Sequence, residues 1–576
     1  MTLSRPPIAR CLSSRFVPVS VRCNYPTALT IAAALTAFVF NPAHGVEPVP
    51  GTLDDAPAPA GFASGTGRIA NLAVVPGGNA YVLAVATQPN GSIVLAGYCS
   101  NPATNGNPAM CVQRLTTNGG LDTTFAGPVG ATGNGNGGFA LTQHATDDRA
   151  NAIAMQADGK IVLAGECWDG VVGYQFCVAR LNTNGTLDAT FVGPNQNGAG
   201  RALLTNLSMA RARNVLVQSD GKIVLSGDCR VSMNAGVYSE ACVIRLNSDG
   251  TLDATFSGPP PANGNGLVRF PVGAYDFDAA GLLQQADGRL VVTGSCWPNT
   301  DPNVKRSFCA ARLTGSGSFD ATFSNNSGSI GTGRVAYAVG AIEANVSAAA
   351  LQPDGRVLIA GRSVVSNSAS HFAVVRLNGD GTLDDRFEGP AGGGGGVAVF
   401  PMGQTYDQVT AIAVQPDGRI VLIGLCSLLN ENNFCVARLA PDGALDASFD
   451  GSTGYGNGRV NVEMSTVGQR NDAARALALQ PDGKLLVAGA CEGAGGINMA
   501  CIARLNGGPF GARMCTMDVD GDGRVGATTD ALIIARVALG MSGPSVLQGI
   551  TLSGPRNSWS AVRDYLVLQC GMTATP

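Results

Sequence analysis

Gln156-Ala157-Asp158-Gly159-Lys160-Ile161-Val162-Leu163-Ala164-Gly165 holds an Asp-Gly pair between two apolar runs. This is a strong local hairpin signal, because Gly takes positive φ without steric cost. The same pattern recurs at Gln88-Pro89-Asn90-Gly91, Gln218-Ser219-Asp220-Gly221, Gln285-Ala286-Asp287-Gly288, Gln352-Pro353-Asp354-Gly355, Gln415-Pro416-Asp417-Gly418 and Gln480-Pro481-Asp482-Gly483. The spacing is about 65 residues, a period that marks an array, a solenoid or a propeller.

Each repeat divides into the same parts. A Gly-x-Gly element with a short apolar strand comes first, such as Gly198-Ala199-Gly200 or Gly456-Asn457-Gly458. A second strand runs into the Gln-x-Asp-Gly turn, and a third leaves it. A variable loop leads to a fourth strand, Cys177-Val178-Ala179-Arg180-Leu181 in the second repeat, and then to a Leu-Asp-x-x-Phe connector. Four strands in each of seven units predict an all-β, seven-bladed propeller, in which radial closure hides the sheet edges. An open solenoid would need polar capping repeats, and the terminal units show no such change. The connector occurs six times, its Asp at Asp122, Asp188, Asp253, Asp320, Asp384 and Asp446. The seventh unit lacks it, while a degenerate copy, Leu53-Asp54, stands near the other end of the chain. The two ends together supply one connector, as ring closure requires. The sequence leaves open whether the strand at Ile69 begins blade one or completes blade seven.

The Gln-Pro-Asp-Gly-Lys-Ile-Val-Leu-Ala-Gly type run and the Arg-Leu-Asn-x-Asp-Gly-Thr-Leu-Asp-x-x-Phe run resemble those of the delta-60 repeat family, exported bacterial β-propellers. The resemblance covers about residues 52–508. It implies a fold and an exported location, and no particular reaction.

Composition agrees with an all-β protein, in which Gly-rich turns separate short apolar runs. Of 576 residues, 78 are Gly and only 14% are charged. Residues 1–45 read as a secretory signal: Arg5, Arg10, Arg15 and Arg22 precede the apolar run Ala28–Phe40, and Ala43-His44-Gly45 offers small residues for cleavage. The apolar run is short for a membrane span. Removing the four signal arginines takes the formal charge from −4 to −8, so no basic footprint for nucleic acid is left.

Six repeats carry a Cys at each side of the variable loop, at the end of the third strand and the start of the fourth. The pairs are Cys99 with Cys111, Cys167 with Cys177, Cys229 with Cys242, Cys296 with Cys309, Cys426 with Cys435, and Cys491 with Cys501. The fifth repeat loses both together, to Ser363 and Ala373. Joint loss is what a bonded pair predicts, and adjacent strand ends bring Cα atoms within disulfide reach. Metal binding fits poorly, with variable spacing and three His in the chain. The loops between the cysteines carry Trp168, Tyr174, Tyr238, Trp297, Lys305 and Arg306. Of these, Trp168, Tyr174, Trp297 and Arg306 are the candidate ligand contacts: the rings either stack on a sugar or peptide or simply cover the cystines.

After Gly507-Gly508-Pro509 the repeat stops, giving three expected segments: the signal 1–45, the propeller 46–508 and a C-terminal module 509–576. In the module, Asp518, Asp520 and Asp522 alternate ahead of Gly523 and Arg524, with Asp530 opening an apolar helix. Alternating carboxylates before a Gly are the start of an EF-hand-type Ca²⁺ loop, with the Arg524 carbonyl and the Asp530 carboxylate as further ligands. The stretch resembles half of a type I dockerin. It departs from that pattern in having one extra loop residue before Asp530 and no second calcium loop, so cohesin docking does not follow. Cys515 and Cys570 bracket the module and are read as a pair.

No Gly-x-Ser-x-Gly elbow, phosphate-binding Gly-rich loop or His-Glu-x-x-His is present, and no residue is put forward as catalytic. The sequence therefore points to an exported binding or scaffold protein that presents cystine-clamped loops to an extracellular protein or glycan, with a calcium-stabilised docking module. The alternative is a polysaccharide hydrolase or lyase acting at the channel mouth, and a purely structural surface protein is a third option.

Overall fold

The computed structural model describes residues 50–55, 62–72, 79–100, 107–125, 139–142, 147–171, 173–194, 200–204, 209–233, 236–258, 265–274, 276–299, 305–324, 332–340, 342–366, 368–390, 395–428, 431–451, 458–464, 471–493 and 496–507. Beyond these it describes 519–520, 526, 528–538, 541, 543–552, 558–559, 562–563 and 566. The proposed signal, Cys515, Cys570, Asp518, Asp522 and Arg524 lie outside the described residues.

The described strands form seven four-stranded antiparallel sheets. Blade two shows the plan: Asp148–Met155 is innermost, followed outward by Ile161–Trp168, Tyr174–Leu181 and Arg201–Leu204. Each inner strand lies beside those of both neighbouring blades, and that of blade one touches that of blade seven. The ring is a closed seven-bladed propeller.

The blade is offset from the sequence repeat. The Gly-x-Gly strand is the outermost strand of the preceding blade, so the Gln-x-Asp-Gly turn joins the two innermost strands. At the ring's seam, Arg68–Leu72 pairs with Asn498–Leu505 and completes blade seven. This settles the assignment of the strand at Ile69.

The turn that starts each blade is built as its composition dictates. Gly159 N–H donates to the Gln156 carbonyl at 2.9 Å, Gln156 N–H donates to the Lys160 carbonyl at 2.9 Å, and Gly159 has φ +81°. That is a type I turn closed by a left-handed Gly. The Asp158 carboxylate accepts from Lys160 N–H at 3.1 Å. The Gln reaches sideways: Gln88 donates to the Gly159 carbonyl of the next blade's turn at 3.2 Å, and Gln285 donates to that of Gly355 at 3.2 Å.

Seven apolar cores fill the seams between adjacent blades. Between blades one and two, Val94, Met110 and Phe125 meet Ile161, Leu163 and Leu181. A polar clasp recurs beside each seam. Arg180 of blade two donates to Asp188 at 2.7 Å and to Thr190 at 3.0 Å, lies 4.9 Å from the Phe191 ring centre, and donates to the Ser248 carbonyl of blade three. Arg114, Arg245, Arg312, Arg376, Arg438 and Arg504 repeat the arrangement. The recurring connector Asp is thus a structural anion. At the seventh seam Asp54 and Phe62 replace the missing connector: Arg504 donates to Asp54 at 2.7 Å, lies 4.7 Å from the Phe62 ring centre, and donates to the Thr117 carbonyl of blade one. The two parts of the split connector meet.

All six expected cystines are formed, each within one blade. Cys99 is bonded to Cys111, Cys167 to Cys177, Cys229 to Cys242, Cys296 to Cys309, Cys426 to Cys435, and Cys491 to Cys501, with Cα separations of 5.8–6.0 Å. Their place in the sheet corrects the sequence reading. Cys111, Cys177, Cys242, Cys309, Cys435 and Cys501, expected on a fourth strand, stand on the third strand of their blades. The reason is the offset, which hands the first strand of every sequence repeat to the blade before it. Each cystine therefore ties the second strand to the third, inside the sheet, with the Gly-x-Gly strand still outside it. In blade five the register is the same, with the buried Ser363 opposite His371, and the Ser363 hydroxyl donates to the Val339 carbonyl at 3.4 Å. Among the described residues no helix is long and apolar enough to cross a membrane.

Candidate functional site: the channel mouth on the cystine side

Every inner strand carries a β-bulge near its cystine end, between Ala150 and Ala152 in blade two and at the matching point of the other six. Opposite it stands a Gly, the last residue of the opening stretch: Gly97, Gly165, Gly227, Gly294, Gly361, Gly424 or Gly489. A Cβ at Gly165 would lie 1.8 Å from the Arg149 carbonyl oxygen, and at the other six positions within 2.2 Å of the matching oxygen. The bulge drives that carbonyl against the neighbouring strand, and only Gly leaves room. Bulges of this kind bend the strand and re-aim its side chains.

The residue whose carbonyl makes this approach differs in almost every blade: Tyr81, Arg149, Arg211, Asp278, Asn345, Gln408 and Ala473. So does the residue after the Gly, paired across from it: Tyr98, Glu166, Asp228, Ser295, Arg362, Leu425 and Ala490. The repeat holds its Gly, its turn and its clasp, yet varies the side chains that ring one end of the inner strands.

Two clusters stand on this ring. In blades one to three, the Tyr81 and Tyr98 rings stack at 4.6 Å and Arg149 covers Tyr98 at 5.1 Å. Arg149 pairs with Asp147 at 3.0 Å, and Arg211 pairs with the buried Glu166 at 3.1 Å. Tyr174 donates to Asp147 at 2.7 Å, and Trp168 meets the Tyr174 ring edge-on at 5.3 Å. Burial and the hydrogen bond to Asp147 push the Tyr174 hydroxyl up to about 12. In blades four to six a cavity of about 260 Å³ is lined by Asp278, Ser295, Arg306, Asn345, Val346, Arg362, Tyr406 and Gln408. Arg306 lies 5.0 Å from the Trp297 ring centre and contacts Asp278 and Asn345. Arg362 donates to the Tyr406 hydroxyl at 2.9 Å, and that hydroxyl donates to Gln408 at 2.7 Å.

The structure brings Trp168 to Tyr174, and Trp297 to Arg306, as two separate pairs. Tyr238 pairs in register with Val231 on blade three, and Lys305 is exposed beside Arg306. Sequence reading from the loops missed Asp278, Asn345, Arg362, Tyr406 and Gln408. Except for Tyr406, they lie on strands, one residue after the invariant Gly or directly across from that residue. Aligning the repeats on that Gly exposes the variation.

In the C-terminal stretch a short helix, Asp530–Ala538, packs Ile533 and Val537 with Val519, Val546, Val562 and Leu566. The Asp530 carboxylate accepts from the backbone N–H groups of Val519 at 2.5 Å, Asp520 at 3.1 Å and Gly526 at 2.8 Å, and from the Thr529 hydroxyl at 3.0 Å. Burial pushes its carboxyl up, but these hydrogen bonds outweigh that and hold it below the usual range. Asp520 is buried nearby. Among the described residues no group of three or more His, Cys, Asp or Glu is gathered to hold a metal.

A closed ring of seven repeated four-stranded blades, cystine-clamped in all but one, defines the class of this protein: a seven-bladed β-propeller. Its repeats match the domain of unknown function DUF5122 beta-propeller at residues 88–125, 156–191, 218–256, 285–323, 352–387, 415–449 and 480–507. The chain carries seven DUF5122 repeats. Its sequence finds no match among curated proteins. Among solved structures it is similar to the polysaccharide lyase Uly1, at 12% identity and TM-score 0.40 over 74% of this chain and 90% of that one. It is also similar to a PL25 ulvan lyase, at 11% identity and TM-score 0.41 over 76% and 96%, and to Sqt1 from Chaetomium thermophilum, at 12% identity and TM-score 0.36 over 75% and 88%.

Proposed function

We propose that this protein is an exported, non-enzymatic binding scaffold whose propeller, within residues 46–508, presents its cystine-side mouth to an extracellular protein or glycan. The observation that carries the reading is the in-register variation around that mouth. The fold needs a Gly, a turn and a clasp in every blade, and it has them. It does not need Arg149 in one blade and Gln408 in another. Variable side chains held on rigid strands are suited to recognition. The six cystines support an oxidising compartment, since such bonds persist there and are rare in the cytosol. The polysaccharide-cleaving alternative has no specific support among the described residues.

The same reading takes residues 509–576 as a docking module stabilised by Ca²⁺. Asp518, Asp520, Asp522 and the Arg524 carbonyl form a hard-oxygen donor set suited to that ion. Asp530 would then serve the site chiefly by holding the ends of the loop to the helix, since its oxygens already accept four hydrogen bonds. Ca²⁺ would supply a structural cross-link and no reaction step.

The test is an array of extracellular glycans and proteins probed with the full chain and with a variant carrying Arg149→Ala, Arg211→Ala, Arg362→Ala and Gln408→Ala. A ligand bound by the first and lost by the second supports the reading. Equal binding by both would sink it.

A further inference from the structure

We propose that the cavity between blades four, five and six receives the carboxylate of an acidic sugar, one uronic acid unit of a glycan. This rests on the binding role proposed above and names its ligand class.

Two guanidiniums share the cavity. The Arg306 side chain is 16% exposed and that of Arg362 25%, while their acidic partners Asp278 and Glu343 stand further out, at 58% and 39%. The cations are therefore the inner members and the acids the rim. Each guanidinium is backed by an aromatic face, Arg306 by Trp297 and Arg362 by Tyr406 at 5.3 Å. Stacking fixes the guanidinium plane and leaves its edge for a planar anion, the geometry in which Arg holds a carboxylate through paired hydrogen bonds. Donor capacity remains chiefly on Arg362, whose contact to Glu343 is long at 3.4 Å, while Arg306 is held by Asp278 and Asn345 and adds its charge.

The rest of the lining selects a sugar over a peptide. Asn345, Tyr406 and Gln408 place amide and hydroxyl groups in the lining, oriented by bonds to Glu343, Arg362 and Ser347, and each keeps a further N–H or lone pair for a sugar hydroxyl. Val346, itself buried, is the one aliphatic side chain in the lining, and the Tyr406 ring is stacked against Arg362, which leaves little apolar surface for a peptide side chain. The volume, about 260 Å³, is below that of a drug-sized pocket and fits a single ring.

The experiment is calorimetric titration of the full chain with trigalacturonate, with neutral galactotriose and with a glutamate-rich peptide. Trigalacturonate is expected to bind at least tenfold tighter than either of the others. Arg362→Gln should weaken it at least tenfold, Gln408→Leu should weaken it severalfold, and Lys222→Gln on the opposite face should leave it unchanged, all with an unaltered melting temperature. Should Arg362→Gln fail to fold, Gln408→Leu decides. Equal or stronger binding of galactotriose or the peptide would overturn the acidic-sugar assignment while leaving the scaffold role standing. Failure of trigalacturonate to bind would also overturn the assignment, and the array described above then decides the scaffold role separately.

Discussion

Asp54→Ala removes the anion at the seam where the ring closes. Asp54 is 5% exposed at its side chain and holds two cations, Arg504 at 2.7 Å and Lys484 at 2.8 Å. Lys484 is 25% exposed and keeps Asp482 at 3.8 Å, so its loss is small. Arg504 is 3% exposed and keeps the Thr117 carbonyl, the Gln480 side-chain oxygen at 3.5 Å and the Phe62 face. Removing one partner of a buried pair costs about 3–5 kcal/mol, because the other charge stays buried. The retained contacts to Arg504 place the expected loss at the lower end, about 3 kcal/mol. For a ring of about 450 residues the unfolding entropy is on the order of 1 kcal/mol/K, so the midpoint should fall by about 3 °C if the ring melts as one unit. Guanidinium titration followed by tryptophan fluorescence, with far-UV dichroism as a second probe, measures the free energy directly. Noncoincident transitions would show blade seven opening first, which the seam argument also allows. A loss below about 1 kcal/mol by both probes would refute the view that residues 50–54 lock the ring.

Gly165→Ala should cost about 3 kcal/mol, because its Cβ would sit 1.8 Å from the Arg149 carbonyl and must flatten the bulge; Gly379→Ala, with open space around it, is the matched control and should be near neutral in the same denaturant titration. Replacing Cys167 and Cys177 together by Ser should lower stability by roughly 2–3 kcal/mol, whereas mass mapping of the unaltered chain that finds cross-blade bonds would contradict the fold as described. Asp188 and Asp253 have carboxyls at about 2: burial raises them, but Thr hydrogen bonds and the adjoining Arg, with Lys160 as well at Asp188, outweigh it and lower them. Their folded values lie below the ordinary 3.8, so the stability they contribute is present above pH 4 and is lost as pH falls through 2; a flat acid titration of the melting temperature between those limits would count against the clasp. Asp520→Ala should abolish a calcium heat in calorimetry, and an unchanged heat would remove the proposed ion site.

Much of the fold was legible because its signals are local and repeated. Turn glycines, cysteine pairs and connector aspartates each act within a few residues, so seven copies announce them. The blade boundary was not legible, because a strand's partner is a matter of space: the Gly-x-Gly strand is nearer in sequence to the next turn but pairs backward. The same offset moved Cys242, Cys309 and their equivalents from an expected fourth strand to the third without changing whom they bond. The clasp was half visible. The recurring Asp could be read as structural, while the equally recurrent Arg at Arg180 and its equivalents was passed over, since its carbonyl acceptor lies in another blade. The candidate site was the least legible part. In the loops Trp168 and Trp297 stand out by type, while Arg362 and Gln408 sit in strands whose alternation reads as ordinary sheet.

The carbonyl of Gly507 accepts from both Arg438 and Gln415 of blade six, beside the turn at Gly483. Gly507 is the last described residue of the propeller, so the chain leaves the ring on the face of the turns. The segment at 50–54 is stitched to Asn506 at that same seam. The propeller therefore has a polarity: among the described residues the two ends of the ring meet on one face, and the variable side chains ring the other. A surface that captures this protein through its C-terminal stretch would hold it with the cystine-side mouth outward, whereas chemical coupling through Lys160, Lys222 or Lys484 would fix the face of the turns and give the same outward display.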